Sequence, residues 1–283
     1  MKTAKLKINA KINLTLEVLG LENGYHKLSS VVASINFRDK ITVRKRTDDL
    51  ITLKEYGIKA GCPIPENNAC KTAERVMKSF GVSGVDITIK KGIPVGAGLG
   101  GSSADIAGVL KCMEKLYGVP ATKQSSEIGS DTAYMVNGGY ALMQGRGEMV
   151  TPIACKKPLY LITAFCNGGV NTGKCFALYD ENPTTENDGA SEKVFSLMQK
   201  GEVLSAVKYF SNDLTESAVK LNADIEKNLA LLKTTTAKSV VMTGAGSCVF
   251  GVFTSRKERN NEYKKLIKTD ANKNMLKKAQ TIY

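Results

Sequence analysis

The segment Pro94-Val-Gly-Ala-Gly-Leu-Gly-Gly-Ser-Ser-Ala-Asp105 leaves an apolar strand pattern and runs into small residues at helical spacing. Gly96, Gly98, Gly100 and Gly101 permit backbone angles and close approaches that a Cβ would forbid. With Pro94, Val95, Ala97 and Leu99 between them, they form a turn whose successive N–H groups can converge on an anion. Ser102, Ser103 and Ala104 then begin a helix whose N-terminal partial positive charge adds to that attraction. The chemistry this favours is phosphate binding. Gly96, Gly98 and Gly101 also satisfy the dinucleotide-binding spacing, but no second apolar strand ending in an acid follows, because Tyr117 leads into Gly118-Val-Pro120 and a polar run. A P-loop needs lysine directly before the serine, and Gly101 stands there instead. A glycine turn that merely rounds a corner is the remaining alternative.

Two further groups could join such a cradle. Residues Ala4 to Val18 alternate apolar and polar side chains as half-buried strands do, which puts Lys11 and Asn13 on the face opposite Ile12 and Leu14. Lys11 is either a solvated strand lysine or a cation facing a site. The only histidine, His26, sits in the turn Gly24-Tyr-His-Lys-Leu28, where packing or surface exposure is the ordinary role. Late in the chain, Thr243-Gly-Ala-Gly-Ser247 is either an ordinary hairpin turn or a second glycine turn at the same site.

The elements that must position these residues follow in order. The apolar run Val31 to Phe37 is a strand, with further strand patterns at Lys40 to Arg46 and Leu50 to Tyr56 before a breaker-rich loop from Gly57 to Pro65. Asn67 or Asn68 caps a helix through Phe80 that Gly81 ends, and Val85, Ile87 and Ile89 alternate as the strand feeding the glycine turn. The following helix carries Ile106, Val109, Leu110, Met113 and Tyr117 on one face. A strand and hairpin are expected around Gly138 to Glu148, an apolar strand at Pro158 to Cys166, and a helix start at Asn171 to Leu178. Asn182 to Ala190 is a polar surface loop. Helices are expected at Glu192 to Gln199, Val203 to Phe210 and Ala218 to Leu232, and strands at Ser239 to Met242 and Cys248 to Phe253. A basic surface helix, Arg256 to Lys268, closes the chain.

Composition sets the outer bounds. The chain has 283 residues, 42% hydrophobic and 24% charged, which suits one large or two moderate domains. No apolar run is long enough to span a bilayer and the start lacks a secretion-type apolar block, so the expected location is cytoplasmic. Seven scattered cysteines with no Cys-x-x-Cys pair, and a single histidine, read as reduced buried thiols rather than a zinc site, and no structural metal is expected. The net charge of +13 is spread along the chain and no tryptophan is present to stack on bases. That pattern favours a field gathering phosphorylated metabolites over a nucleic-acid stripe.

Taken together, Lys11-Ile-Asn13, the Pro94 to Ala104 turn and Gly244-Ala-Gly-Ser247 resemble the GHMP kinase superfamily. Within it, Ala10-Lys-Ile-Asn-Leu-Thr-Leu16, Gly24-Tyr-His-Lys-Leu28, Ile93 to Gly101, Gly129-Ser-Asp131 and Asn212-Asp-Leu214 are similar to the branch acting on 4-diphosphocytidyl-2-C-methyl-D-erythritol. The blocks cover almost the whole chain and keep their order. The resemblance implies an α+β, two-lobed GHMP kinase fold with the active site in the cleft between lobes, residues 1–157 forming the N-terminal lobe and 158–283 the C-terminal one. It implies ATP-dependent phosphorylation of the substrate's 2-hydroxyl in non-mevalonate isoprenoid precursor synthesis, with Mg2+ accompanying ATP. The catalytic pair carried over is Lys11 and Asp131. Such transfer wants a carboxylate to take the hydroxyl proton and a cation to offset developing charge. The nucleotide phosphates fall on Pro94 to Ala104 with adenosine toward Asn68. The cytidine falls against Tyr25, His26 and Phe176, and Asn13 and Thr172 lie near the diphosphate and erythritol. The implied partners are this cytidine diphosphate derivative and ATP, without nucleic acid or membrane, in a monomer or weak homodimer.

Two features depart from the branch. Its loop usually continues Gly-Gly-Gly-Ser-Ser-Asp, where this chain has Gly100-Gly-Ser-Ser-Ala-Asp105. The segment from Tyr117 to Ile128 is also shorter than usual, where a helix normally precedes the Gly-Ser-Asp block. Three rival functions remain: a GHMP kinase for another small alcohol, a catalytically weakened homologue, and a basic nucleic-acid-binding protein built on the same fold. A steep salt dependence of binding to unrelated DNA or RNA without ATP turnover would mark the last.

Overall fold

A computed structural model describes residues 2–22, 24–57, 63, 66–183, 189–269 and 275–283. The strands are β1 (Thr3–Asn13), β2 (Thr15–Glu22), β3 (Tyr25–Lys45), β4 (Ile51–Gly57), β5 (Val85–Lys91), β6 (Tyr140–Gly145), β7 (Met149–Pro152), β8 (Tyr160–Ala164), β9 (Ser211–Asn212), β10 (Ser239–Met242), β11 (Val249–Phe253) and β12 (Leu276–Ile282). The helices are α1 (Asn68–Phe80), α2 (Gly101–Tyr117), α3 (Ser125–Ile128), α4 (Thr132–Asn137), α5 (Thr172–Glu181), α6 (Ala190–Gln199), α7 (Val203–Ala206), α8 (Thr215–Leu221), α9 (Asp224–Lys233) and α10 (Arg256–Thr269). Helices and strands are thus mixed, as expected. Among the described residues no helix is long and apolar enough to cross a membrane.

The chain forms two compact units: Met1–Ala10, Phe37–Val95 and Gly100–Gly138 in the first, Lys11–Asn36, Gly96–Leu99 and Gly139–Tyr283 in the second. These do not coincide with the division into residues 1–157 and 158–283. The physical reason is that β1 and β3 are long strands, each beginning in one unit and ending in the other.

In the first unit, β5 pairs antiparallel with the second half of β3 (Lys40↔Lys90 to Lys45↔Val85) and parallel with β4. The two strand patterns around residue 37 are therefore one continuous strand rather than two. Helices α1 and α2 pack together and bury Ala69, Ala73 and Val76 on one side and Val109, Leu110 and Met113 on the other. Contact between α2 and the sheet is close at Gly108, where a Cβ would stand 2.7 Å from Ile41 Cγ1. Of the two candidate caps, Asn67 serves, its side chain accepting from the Ala69 amide, and Gly81 ends α1 in the left-handed region as the sequence suggests. A 3-10 turn (Ala121–Gln124) and α3 fill the segment before Gly129, so helical structure does precede the Gly-Ser-Asp block despite its shortness.

In the second unit the strand order is β10-β11-β8-β12-β3-β2-β9, with β6 paired to β3 and β7 to β6. Its core joins Leu16, Ile162, Tyr179, Leu214, Ile225, Leu232, Val249, Phe253 and Leu276. The structure differs from the sequence pattern in three places. The single helix expected over Ala218 to Leu232 is two, because Asn222 leaves helical geometry (φ −150°, ψ 98°) and its Oδ1 accepts from the Asp224 amide. The basic helix does not close the chain: β12 follows and inserts between β8 and β3, its Leu276, Ala279 and Thr281 buried. The strand Pro158 to Cys166 shortens to Tyr160–Ala164. Most of the Gly57 to Pro65 and Asn182 to Ala190 loops lie outside the described residues, as does Cys62. The other six cysteines are buried and form no disulfide among the described residues.

Candidate active site

The glycine turn is fixed from both of its ends. Gly96, Gly98 and Gly100 have φ of 69°, 72° and 70°, in the left-handed region that Cβ-bearing residues avoid. Ala97 and Leu99 are buried, and their carbonyls accept from the Cys248 and Lys11 amides at 3.3 and 3.1 Å. The Gly98 carbonyl lies 3.4 Å from Thr243 Oγ1. In a trans peptide C=O and N–H point in opposite directions, so these three carbonyls turn the amides of Gly98, Leu99 and Gly100 the other way, as an anion cradle requires. Gly100 then serves as the N-cap of α2.

Lys11 is not a solvated strand lysine. It is 4% exposed, and its Nζ donates to Asn13 Oδ1 at 2.7 Å. Asn13 is itself clamped: Oδ1 also accepts from the Gly244 amide at 3.0 Å, Nδ2 donates to Ser30 Oγ at 2.8 Å, and its backbone N–H donates to Thr243 Oγ1 at 2.9 Å. Asn212 supports the same late glycine turn, its Nδ2 donating to the carbonyls of Met242 and Gly244 at 2.8 and 2.9 Å. The Thr243–Ser247 segment is therefore part of the site's frame and more than a hairpin. Nothing in the sequence alone marks Thr243 or Asn212 as positioning residues, although both lie in the Thr243–Ser247 and Asn212–Leu214 blocks.

In the first unit, Pro94 and Val95 lead into the turn, and Gly101, Ser102, Ser103 and Ala104 form the first turn of α2. Asn68, the first residue of α1, donates from Nδ2 to Ser102 Oγ at 2.8 Å and so joins the two helix starts. Asp131 opens α4 without capping it through its side chain. Gly129, two residues earlier, lies close against α2: a Cβ there would come within 3.8 Å of Ile106 Cδ1 and 3.9 Å of Ser103 Oγ. Lys111 Nζ of α2 donates to the Val136 carbonyl at 2.7 Å and ties down the far end of α4.

The first unit also holds a buried ion cluster that the sequence does not point to. Lys91 Nζ donates to Asp105 Oδ2 at 2.6 Å and, more closely still, to Asp39 Oδ2. Asp39 Oδ1 accepts from the amides of Gly92 and Ile93 at 2.6 and 2.9 Å. Burial opposes the charge on Lys91, but the two carboxylates outweigh it and its pKa is raised. Burial pushes Asp105 up to about 7, against the pull of Lys91 and with the added repulsion of Asp39. Period-two counting could have found Lys91, which continues the inward set Val85, Ile87, Ile89.

The raised acid has a consequence for stability. Because Asp105 binds its proton more tightly folded than unfolded, its contribution is fully present below about pH 4 and is lost as pH rises to about 7. The stability of the wild type minus that of Asp105→Asn, whose amide mimics the neutral acid, is expected to fall by up to ~4 kcal/mol across that window. Urea unfolding of both proteins from pH 4 to 8 checks this, and a difference constant with pH would contradict it.

The proposed base-binding residues are partly assembled. His26 stacks on Phe176 (centroids 4.4 Å apart, planes at 29°), and its Nε2 lies 2.7 Å from Asp180 Oδ1. Tyr25 is half exposed, and the Arg146 guanidinium covers one face of its ring at 3.6 Å. The ring partner of Phe176 is thus His26, while Tyr25 pairs with a cation. Thr172 opens α5, capped by Asn171, one turn before Phe176. A cavity of about 490 Å³ adjoins His26 and Asp180, lined also by Glu17, Leu19, Tyr179 and Asp213.

Comparison with known proteins agrees in order and extent. Residues 67–141 match the GHMP kinases N terminal domain and residues 192–272 the GHMP kinases C terminal domain. A 4-diphosphocytidyl-2-C-methyl-D-erythritol kinase of Moorella thermoacetica is 33% identical over 263 residues, covering 89% of this chain and 90% of that one. One of the same name from Cutibacterium acnes is 31% identical over 264 residues, covering 88% and 85%. A crystal structure of 4-(cytidine 5'-diphospho)-2C-methyl-D-erythritol kinase superposes with a TM-score of 0.78 at 25% identity, over 98% of this chain and 99% of that one. With a glycine cradle, a buried lysine bound to it and matches spanning nearly its full length, the chain belongs to the GHMP kinase family and is a small-molecule kinase.

Proposed function

We propose that this kinase transfers the γ-phosphoryl group of ATP to the 2-hydroxyl of 4-diphosphocytidyl-2-C-methyl-D-erythritol. The observation that carries the reading is Lys11, an ammonium withdrawn from solvent, bonded to Asn13 and held by its own amide to the phosphate turn. The acceptor is the one for which the relatives are named.

In this reading the nucleotide phosphates rest on the turn from Pro94 to Ala104, and Asn68 borders the adenosine. Magnesium arrives with ATP as part of the substrate. Among the described residues no three histidine, cysteine or acidic side chains gather to hold a metal, so phosphate oxygens and water supply most of its ligands. Asp131 takes the proton of the 2-hydroxyl, whose oxygen attacks the γ-phosphorus as the bond to the β,γ-bridging oxygen breaks and ADP leaves. Lys11 holds the reacting groups and offsets charge as it develops. In a loose, dissociative transfer, placement and charge neutralisation outweigh strong base catalysis. Asn13 and Thr172 face the diphosphate and erythritol.

The base is read by Tyr25, His26 and Phe176. With Asp180 accepting from Nε2–H, the tautomer that leaves Nδ1 unprotonated offers an acceptor suited to the exocyclic amine of cytosine and opposed to the carbonyl oxygen that uracil carries there. Tyr25→Ala and Phe176→Ala are each expected to raise KM for the cytidyl substrate roughly 5- to 150-fold, from a stacking loss of about 1–3 kcal/mol, without changing KM for ATP. Steady-state assays varying each substrate check this. Unchanged use of the cytidyl substrate by both variants would favour a kinase for another small alcohol.

A further inference from the structure

The cluster of Lys91, Asp39 and Asp105 takes no part in the chemistry described above, yet it is among the most buried groupings of charge in the molecule. Its side chains are 3%, 0% and 11% exposed, respectively. Isolated buried charge is unfavourable, and apolar residues of similar volume often serve stability as well or better, so stability alone does not account for such a cluster. Its place in the chain does suggest a role. Lys91 is the last residue of β5, three residues before Pro94, and Asp105 lies in the second turn of α2. One ammonium therefore ties the strand that delivers the glycine turn to the helix that leaves it. Asp39, from the middle of β3, binds that ammonium and takes the amides of Gly92 and Ile93 with its other oxygen, fixing the backbone just upstream of the turn. Gly101, the first residue of α2, lies close to this cluster: a Cβ there would come 3.4 Å from Ile93 Cγ2 and 3.8 Å from Lys91 Nζ.

We propose that Lys91, Asp39 and Asp105 are positioning residues for nucleotide binding, clamping both ends of the 94–100 turn at the spacing a polyphosphate needs. The inference rests on the assignment of that turn to ATP, and it is independent of which alcohol is phosphorylated. It also gives Asp105 a second duty. Among the described residues Asp105 Oδ1 is buried without a hydrogen-bond partner, and burial raises the acid's pKa to about 7, which favours its neutral form. Neutral Asp105 leaves a single carboxylate against Lys91, so the cluster adds no net negative charge under the start of α2, where phosphate would sit.

Asp105→Ala removes the tether to α2 and spares the Lys91–Asp39 pair, while Asp105→Asn keeps an oxygen that can accept from Lys91. ATP affinity, measured by calorimetry with MgATP and the full chain, is expected to weaken at least tenfold in Asp105→Ala and to return to within about threefold of wild type in Asp105→Asn. KM for the acceptor should stay within twofold in both, a split that general loosening of the fold would not produce. Asp105→Ser, whose hydroxyl is too short to reach Lys91, takes the place of the alanine variant if that variant does not fold. ATP affinity within twofold of wild type in the folded alanine or serine variant, or equal losses for ATP and acceptor, would overturn the proposal. If wild type binds ATP but leaves the cytidyl substrate untouched, the acceptor assignment fails while the calorimetric comparison still decides the role of the cluster.

Discussion

Asp131→Asn is expected to lower kcat roughly 10²- to 10⁴-fold, the usual contribution of a positioned general base, while KM for both substrates changes only a few-fold. Asparagine has the size of aspartate, and the side chain of Asp131 does not cap α4, so the helix start should survive the change. What is lost, in the proposed assignment, is the group that receives the hydroxyl proton. Lys11→Ala should act in the same direction. Its removal leaves Asn13 bonded to Gly244 and Ser30, so the frame around the turn persists without its cation. Because the two side chains are assigned to one step, the double variant should be little worse than the poorer single variant. Steady-state kinetics of the three variants, with thermal unfolding to show that each is folded, measures this. A loss confined to KM, or effects that multiply in the double variant, would separate the two residues.

Gly98→Ala carries the other large expected effect. A Cβ there would stand 2.2 Å from the Thr243 carbonyl oxygen and 3.0 Å from that of Gly246, both backbone atoms that cannot rotate aside. The turn cannot lift away either, since Ala97 and Leu99 on both sides are buried and their carbonyls are bonded. The left-handed φ adds about 1–2 kcal/mol of its own. The variant should lose roughly 2–4 kcal/mol of stability and most of its affinity for ATP. Gly139→Ala is the matched control: its φ is +83°, yet among the described residues no atom lies within 4 Å of the added Cβ. It should lose only the backbone share and bind ATP normally. Equal effects of the two changes, by urea unfolding and nucleotide titration, would contradict the close contact at Gly98.

The parts of the fold legible in the sequence were those with local causes. Asn67 and Gly81 bound α1 through capping chemistry confined to a few residues, and the glycine turn announced its geometry through residue type alone. Less legible were features whose cause lies far along the chain. The second half of β3 is continuous with the first because β5, β6 and β12 pair along its length, which no local pattern reveals. β12 itself carries Lys277, Lys278 and Gln280 on a strand that reads as polar, and it forms because β8 and β3 supply partners on both sides. Asn222 broke an unbroken apolar stripe by bonding its own backbone neighbour.

The same distinction holds at the site. Lys11 was visible as a polar residue in an alternating strand, but its burial depends on Asn13, 230 residues away from the Thr243 hydroxyl that accepts from its amide. His26 was visible as a lone histidine, whereas Asp180, 154 residues on, was not. Lys91 and Asp39 were hidden because charged residues in strands usually face water, and only the phase of β5 marks Lys91 as inward.

Phosphorus NMR of the wild-type reaction with MgATP and 4-diphosphocytidyl-2-C-methyl-D-erythritol tests the acceptor and the position of transfer together. One new phosphomonoester on the 2-oxygen should appear for each ADP released, with the diphosphate signals of the acceptor retained. ATP left intact beside that acceptor, while a different small alcohol is phosphorylated under the same conditions, would contradict it.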